Sequence, residues 1–159
     1  MKHIYHGLSS LILLACCISV SYAQNTWTNG NATGIWNDAA NWSGGIPGTG
    51  DDVVFDGTST ANCAIDINTD VNSISINAGY TGTITQNAGV TIDITTDLTQ
   101  ADGTFTGGDS YIDVDGAINF SGGTFTSTSG ELRTATDFDI TAATTFNHNN
   151  GTLVFDGTA

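Results

Sequence analysis

From Gly82 onward, apolar residues return in a fixed frame. Gly82-Thr83-Ile84, Gly103-Thr104-Phe105, Gly123-Thr124-Phe125 and Thr144-Thr145-Phe146 open successive units, a period of about 20–21 residues. A second apolar-alternating segment follows each opening: Val90–Ile94, Ser110–Val114, Gly130–Thr134 and Gly151–Phe155. A third completes three of the units: Asp97–Gln100, Ala117–Phe120 and Asp137–Ile140. Three short strands per period, separated by Gly, Asn, Ser and Asp, predict the coils of a parallel β-helix, a β-solenoid.

Strand side chains alternate between faces, which assigns each position. The first strand stacks Ile84, Phe105, Phe125 and Phe146 inward. The second stacks Ile92, Ile112, Leu132 and Leu153, then Ile94, Val114, Thr134 and Phe155. The third stacks Leu98, Ile118 and Phe138, then Gln100, Phe120 and Ile140. Intervening residues such as Asp93, Asp113, Asp115, Asp139 and Thr152 face solvent. Upstream, Ala64–Ile67 and Val71–Ile76 alternate in the same way. They are expected to be the second and third strands of an irregular opening coil.

The first residues have a different pattern. Lys2 precedes an apolar run from Leu8 to Val20, and Ser21-Tyr22-Ala23 places small residues where a signal peptidase cuts. Residues 1–23 therefore read as a signal peptide, with cleavage before Gln24. Leu13-Leu14-Ala15-Cys16 also fits a lipobox, so a lipoprotein anchored at Cys16 is the competing reading. Both carry the chain out of the cytoplasm, to the cell surface or beyond. The expected organisation is 1–23 signal peptide, 24–60 Trp-rich capping segment with the first strand, and 61–159 solenoid repeats. Because the last repeat stops after its second strand, the solenoid is expected to continue in a longer chain.

Charge narrows the partners. The formal net charge is −14, and after residue 23 the only Lys or Arg is Arg133. Such a chain is repelled by nucleic acid and by anionic membranes. Cys16 and Cys17 belong to the leader, which leaves Cys63 without an internal disulfide partner; a small apolar role in a strand suits it.

Trp27, Trp36 and Trp42 are the only tryptophans. The run from Trp36 to Pro47, continued by Asp51-Asp52-Val53-Val54-Phe55, spells W-x5-W-S-x-G-x-x-P-x3-D-D-V-x-F. With the Gly-Thr-Phe repeats, it resembles the N-terminal region of large secreted bacterial surface proteins, adhesin-like and of autotransporter-passenger type. The resemblance implies a β-helix displayed at the cell surface and meeting extracellular glycans or proteins; it implies no defined activity. The tryptophans admit two readings. They could cap the exposed edge of the first coil, as the usual burial of large aromatics favours, or they could form a platform that binds carbohydrate through Trp27, Trp36 and Trp42.

The repeats fit no catalytic or metal-binding pattern. Asp109, Asp113, Asp115 and Gly116 miss the EF-hand pattern, which would need an acid at Tyr111 and a glutamate at Gly122. Gly107-Gly108-Asp109-Ser110 lacks the third glycine of the calcium nonapeptide. Asp51, Asp52 and Asp56 follow no ligand spacing. The pairs Asp113/Asp115 and Asp137/Asp139 have no long loops to build a cleft for glycoside hydrolysis. A lyase would have to use Arg133, expected to pair with Asp113. His148 lies in an Asn-rich turn. The expectation is therefore a structural, adhesin-like element with no catalytic residue, metal or cofactor, and not an enzyme. The alternatives are a carbohydrate-binding module, or the scaffold of a polysaccharide-active enzyme whose site lies downstream.

Overall fold

A computed structural model describes residues 23–157. The predicted signal peptide, apart from Ala23, and the lipidation alternative at Cys16 lie outside the described residues. The chain opens with β1 (Ala23–Thr26), a short 3-10 turn at Ala39–Asn41 and β2 (Asp51–Phe55). The opening coil follows with β3 (Cys63–Ile65), β4 (Thr69–Val71) and β5 (Ser73–Ile76). The next two coils are β6 (Thr83–Gln86), β7 (Ile92–Ile94) and β8 (Leu98–Gln100), then β9 (Thr104–Thr106), β10 (Ile112–Val114) and β11 (Ile118–Phe120). After these come β12 (Thr124–Thr126), β13 (Glu131–Thr134) and β14 (Phe138–Ile140), and finally β15 (Thr145–Asn147) and β16 (Thr152–Phe155).

Successive strands step round three parallel sheets. The first sheet is ordered β3-β6-β9-β12-β15, the second β4-β7-β10-β13-β16, and the third β1-β2-β5-β8-β11-β14. The chain is thus a β-solenoid, and its register is the one the apolar frame dictates. Ile84 aligns with Phe105, Phe105 with Phe125 and Phe125 with Phe146. Ile92, Ile112, Leu132 and Leu153 align in the second sheet, and Leu98, Ile118 and Phe138 in the third. A strand three residues long cannot bury its own apolar side chains, so each coil is stabilised by its neighbours.

The opening coil differs from its expected assignment. Cys63–Ile65 is the first strand, aligned Cys63 to Ile84, and not the second. Thr69–Val71 is the second, and Ser73–Ile76 the third. The first-strand mark elsewhere is Gly-Thr-Phe; here Cys63 and Ile65 fill the inward positions, both buried, without that mark.

Two coil openings depend on glycine. Gly103 and Gly123 have φ of 66° and 73°, where L side chains are strained. A Cβ on Gly123 would also lie 2.6 Å from the Gly103 carbonyl oxygen. Buried glutamines tie coils together from within. Gln86 Nε2 donates to the Val90 carbonyl at 2.7 Å, and Gln86 Oε1 accepts from the Gly108 amide at 2.9 Å. Gln100 Nε2 donates to the carbonyls of Asp102, Gly103 and Thr124.

The ends of the column differ. At the N-terminal end, β1 pairs along β2, and Ile35 bridges Ala64 on the outer side of β3. Two of the three sheet edges are therefore covered. The third edge, β4, is three residues long and carries exposed Asp70, a short charged edge of the kind that resists edge-to-edge pairing. At the other end Phe138, Ile140 and Phe146 are only partly buried, and Phe155 is 63% exposed. An inward residue is fully covered only where a coil lies on both sides of it.

Candidate functional site

The three tryptophans converge. Trp42 stands edge-on to Trp27 at 5.0 Å and to Trp36 at 4.7 Å, and Phe55 contacts all three. Trp27 and Trp36 are 0% exposed and Trp42 5%. The indole donors are largely used: Trp42 Nε1 reaches the Trp36 carbonyl at 2.8 Å and Trp27 Nε1 the Ala61 carbonyl at 3.1 Å. Tyr80 joins them, packed on Phe55 with its hydroxyl donating to the same Ala61 carbonyl at 2.9 Å. This is the arrangement of a cap. No ring presents a face to solvent, so sugar stacking on Trp27, Trp36 or Trp42 would require the cap to open.

Two buried asparagines, which the sequence did not single out, hold the cap loops. Asn41 Nδ2 donates to Thr33 Oγ1 and the Ile35 carbonyl, and its Oδ1 accepts from the Asn31 amide. Asn25 Nδ2 donates to the Gly45 carbonyl and its Oδ1 accepts from the Gly44 amide. Asp38 caps the 3-10 turn. Hydrogen bonds from Asn31, Thr33 and the Ala40 amide hold its carboxyl below the usual range.

The acidic residues Asp51, Asp52 and Asp56 each have separate partners. Asp52 accepts from Asn72 and Ser73, Asp51 from the Gly48 amide and Asp56 from the Thr58 amide. Among the described residues, no three His, Cys, Asp or Glu side chains gather as a metal would need. Asp113 lies on the second sheet and Asp139 on the third, so the two carboxylate pairs do not face each other across a cleft. Asp139 lines a groove of about 230 Å³ on the outer side of the third sheet, with Thr99, Asn119 and Thr141; it is the only ionisable group there. His148 is exposed, its Nδ1 accepting from the Asn150 amide. Cys63 is buried, and burial pushes its thiol pKa up, which keeps it protonated and unreactive.

The outward rank of the second sheet runs Asp70, Asp93, Asp113, Arg133, Val154. Arg133 Nη1 meets Asp113 Oδ2 at 3.3 Å as expected. Its guanidinium also donates from Nε and Nη2 to Glu131, two residues back on the same strand face, and lies 5.3 Å from the Tyr111 ring centre. From the sequence Arg133 is expected to pair with Asp113, although strand alternation also puts Glu131 beside it. A double-mutant cycle of Arg133→Gln with Asp113→Asn should give small favourable coupling that shrinks with salt. The cycle with Glu131→Gln should give the larger coupling. Zero coupling in both would contradict the register at β13.

Asp93 makes no ion pair among the described residues. Burial first, then the neighbouring Asp113, Asp70 and Asp115, push its carboxyl pKa up, against a hydrogen bond from the Tyr111 hydroxyl. A carboxyl raised in the folded state binds its proton more readily folded than unfolded. Its ionisation therefore costs stability as pH rises from the unfolded value near 3.9 through the raised folded value. Asp93→Asn should stabilise the protein at pH 7, and the gain should vanish below about pH 4. A variant that was instead less stable at pH 7, measured by urea unfolding, would contradict this.

Compared with known protein families, curated proteins and solved structures, the chain matches none.

Proposed function

We propose that this chain is a structural, adhesin-like element of the bacterial cell surface, exported by its N-terminal segment and contributing rigid extended shape. One observation carries the reading: a single hydrophobic core runs from the tryptophan cap up the coils to Leu132, with Phe138, Ile140 and Phe146 packed against it. Nearly all of the buried side chains are spent on holding that column. The acidic outer surface, with Arg133 as its one cation among the described residues, suits a protein kept soluble and apart from nucleic acid and anionic lipid. Its partners on this reading are extracellular glycans or proteins, together with further coils of a longer chain.

The test is export. Produced with its own N-terminal segment in a Gram-negative host, the chain should appear outside the inner membrane with Gln24 as its new N-terminus. Mass spectrometry would show this directly. A lipidated Cys16 terminus would keep the surface location but change the anchor. Retention in the cytoplasm with residues 1–23 intact would overturn the proposal.

A further inference from the structure

The outward side of the first sheet differs from the other two. Its strands read Thr83-Ile84-Thr85, Thr104-Phe105-Thr106, Thr124-Phe125-Thr126 and Thr145-Phe146-Asn147. The apolar or aromatic residue in the middle points inward, so the flanking residues point outward, and the register keeps them in line. Thr83, Thr104, Thr124 and Thr145 form one rank; Thr85, Thr106, Thr126 and Asn147 form the other. The second sheet instead presents charges, and the third a mixed rank of Ser75, Thr99, Asn119 and Asp139. In a chain of net charge −14, these two ranks contain no charge and no aromatic ring.

The hydroxyls are free to bind. Among the described residues, the only side-chain hydrogen bond to any of the seven threonine hydroxyls is from Asn147 Nδ2 to Thr126 Oγ1, at 3.4 Å. Threonine is stiff about χ1, so the array is ordered before it meets anything and loses little rotamer freedom on binding. Its dimensions follow from the fold: about 4.7–4.9 Å between strands and about 6.6–6.8 Å between ranks. A tetrahedral water network with O···O near 2.75 Å has second-neighbour oxygens about 4.5 Å apart and repeats along its hexagonal axis at about 7.4 Å. Across four strands the first mismatch accumulates to about 1 Å. The second stays below about 1 Å, within what the intervening waters can absorb.

We infer that this two-rank threonine face binds ice, through water held in register by the hydroxyls and methyls of Thr83, Thr85, Thr104, Thr106, Thr124 and Thr126. The occupant is chosen by charge and spacing. A neutral, regularly hydroxylated face complements a neutral lattice of water. Without an aromatic ring it lacks the stacking surface that a sugar chain would use. The inference goes beyond the structural role proposed above and does not depend on export.

The test is partition of the full chain into a slowly growing ice hemisphere, with microscopy of ice-crystal shape in the supercooled protein solution. The wild-type chain should enter the ice and facet the crystals. Thr106→Tyr, which raises a ring from the centre of the face, should lower partition several-fold, while Asn119→Tyr on the third sheet should leave it unchanged. Thr104→Ala with Thr124→Ala repeats the face test without added bulk, and circular dichroism verifies that each variant is folded. Exclusion of the wild-type chain from ice would overturn the inference. So would equal partition of the face and third-sheet variants. If the chain ignores ice but pellets with crystalline cellulose or chitin, and Thr106→Tyr abolishes this, the face belongs to a polysaccharide and the ice assignment is wrong.

Discussion

Phe125→Ala is expected to lower the unfolding free energy by about 3–5 kcal/mol, whereas Thr126→Ala beside it should stay within about 0.5 kcal/mol. Phe125 is 0% exposed at mid-column. Its ring stacks nearly parallel on Phe105 at 4.8 Å and on Phe146 at 6.0 Å, and meets Phe120 of the third sheet at 4.3 Å. Truncation leaves a cavity that three rings border. Neighbouring strands are held by ladder hydrogen bonds and cannot close it without breaking register. Against a typical total of about 5–15 kcal/mol, the loss approaches global unfolding. Urea denaturation should show a lowered midpoint with little change in m. Equal tolerance of the two substitutions would mean that the faces are exchanged, as a one-residue slip would do.

Trp42→Ala is expected to be comparably costly, about 3–5 kcal/mol, with an added effect on association. Trp42 is the ring that touches Trp27, Trp36 and Phe55 together, and it donates to the Trp36 carbonyl. Its backbone also bridges Trp27 antiparallel. Without it the cap loses its centre and the loop that carries Ile35 to the edge of β3 is loosened. An uncovered edge recruits other chains. The variant should therefore show red-shifted, quencher-accessible fluorescence from the two remaining tryptophans, and sedimentation should show association. The wild-type emission should be blue-shifted and resist quenching. A Trp42→Ala variant that stayed monomeric with an unchanged urea midpoint would remove the cap from any structural role.

Much of this architecture was legible in the sequence because a solenoid is nearly one-dimensional. Once Phe105, Phe125 and Phe146 are aligned, alternation fixes the partners of every residue in the coils between them, and the second and third ranks follow. The opening coil departs from its expected assignment for a local reason. Cys63 and Ile65 occupy the inward first-strand positions, but no Gly-Thr-Phe announces them. Cross-coil hydrogen bonds there also span 23 or 24 residues, as in Thr91 to Asn68 and Thr96 to Asn72. The clustering of Trp27, Trp36 and Trp42 was visible as composition, but their common centre was not. It depends on Asn25 and Asn41, whose buried hydrogen bonds shape loops that have no periodicity to read. Glu131 beside Arg133 follows from alternation alone, since residues two apart on a strand share a face. The threonine ranks lie in plain view in the repeat, yet their alignment into one array becomes visible only with the strand register.

The most direct measurement of the stacked column is a set of nuclear Overhauser contacts among selectively labelled phenylalanines. Phe125 should show ring-to-ring contacts to Phe105, Phe120 and Phe146, with none between Phe105 and Phe146, which lie two coils apart. A Phe125 ring that lacked these neighbours, or that exchanged magnetisation chiefly with water, would contradict the solenoid register on which the account rests.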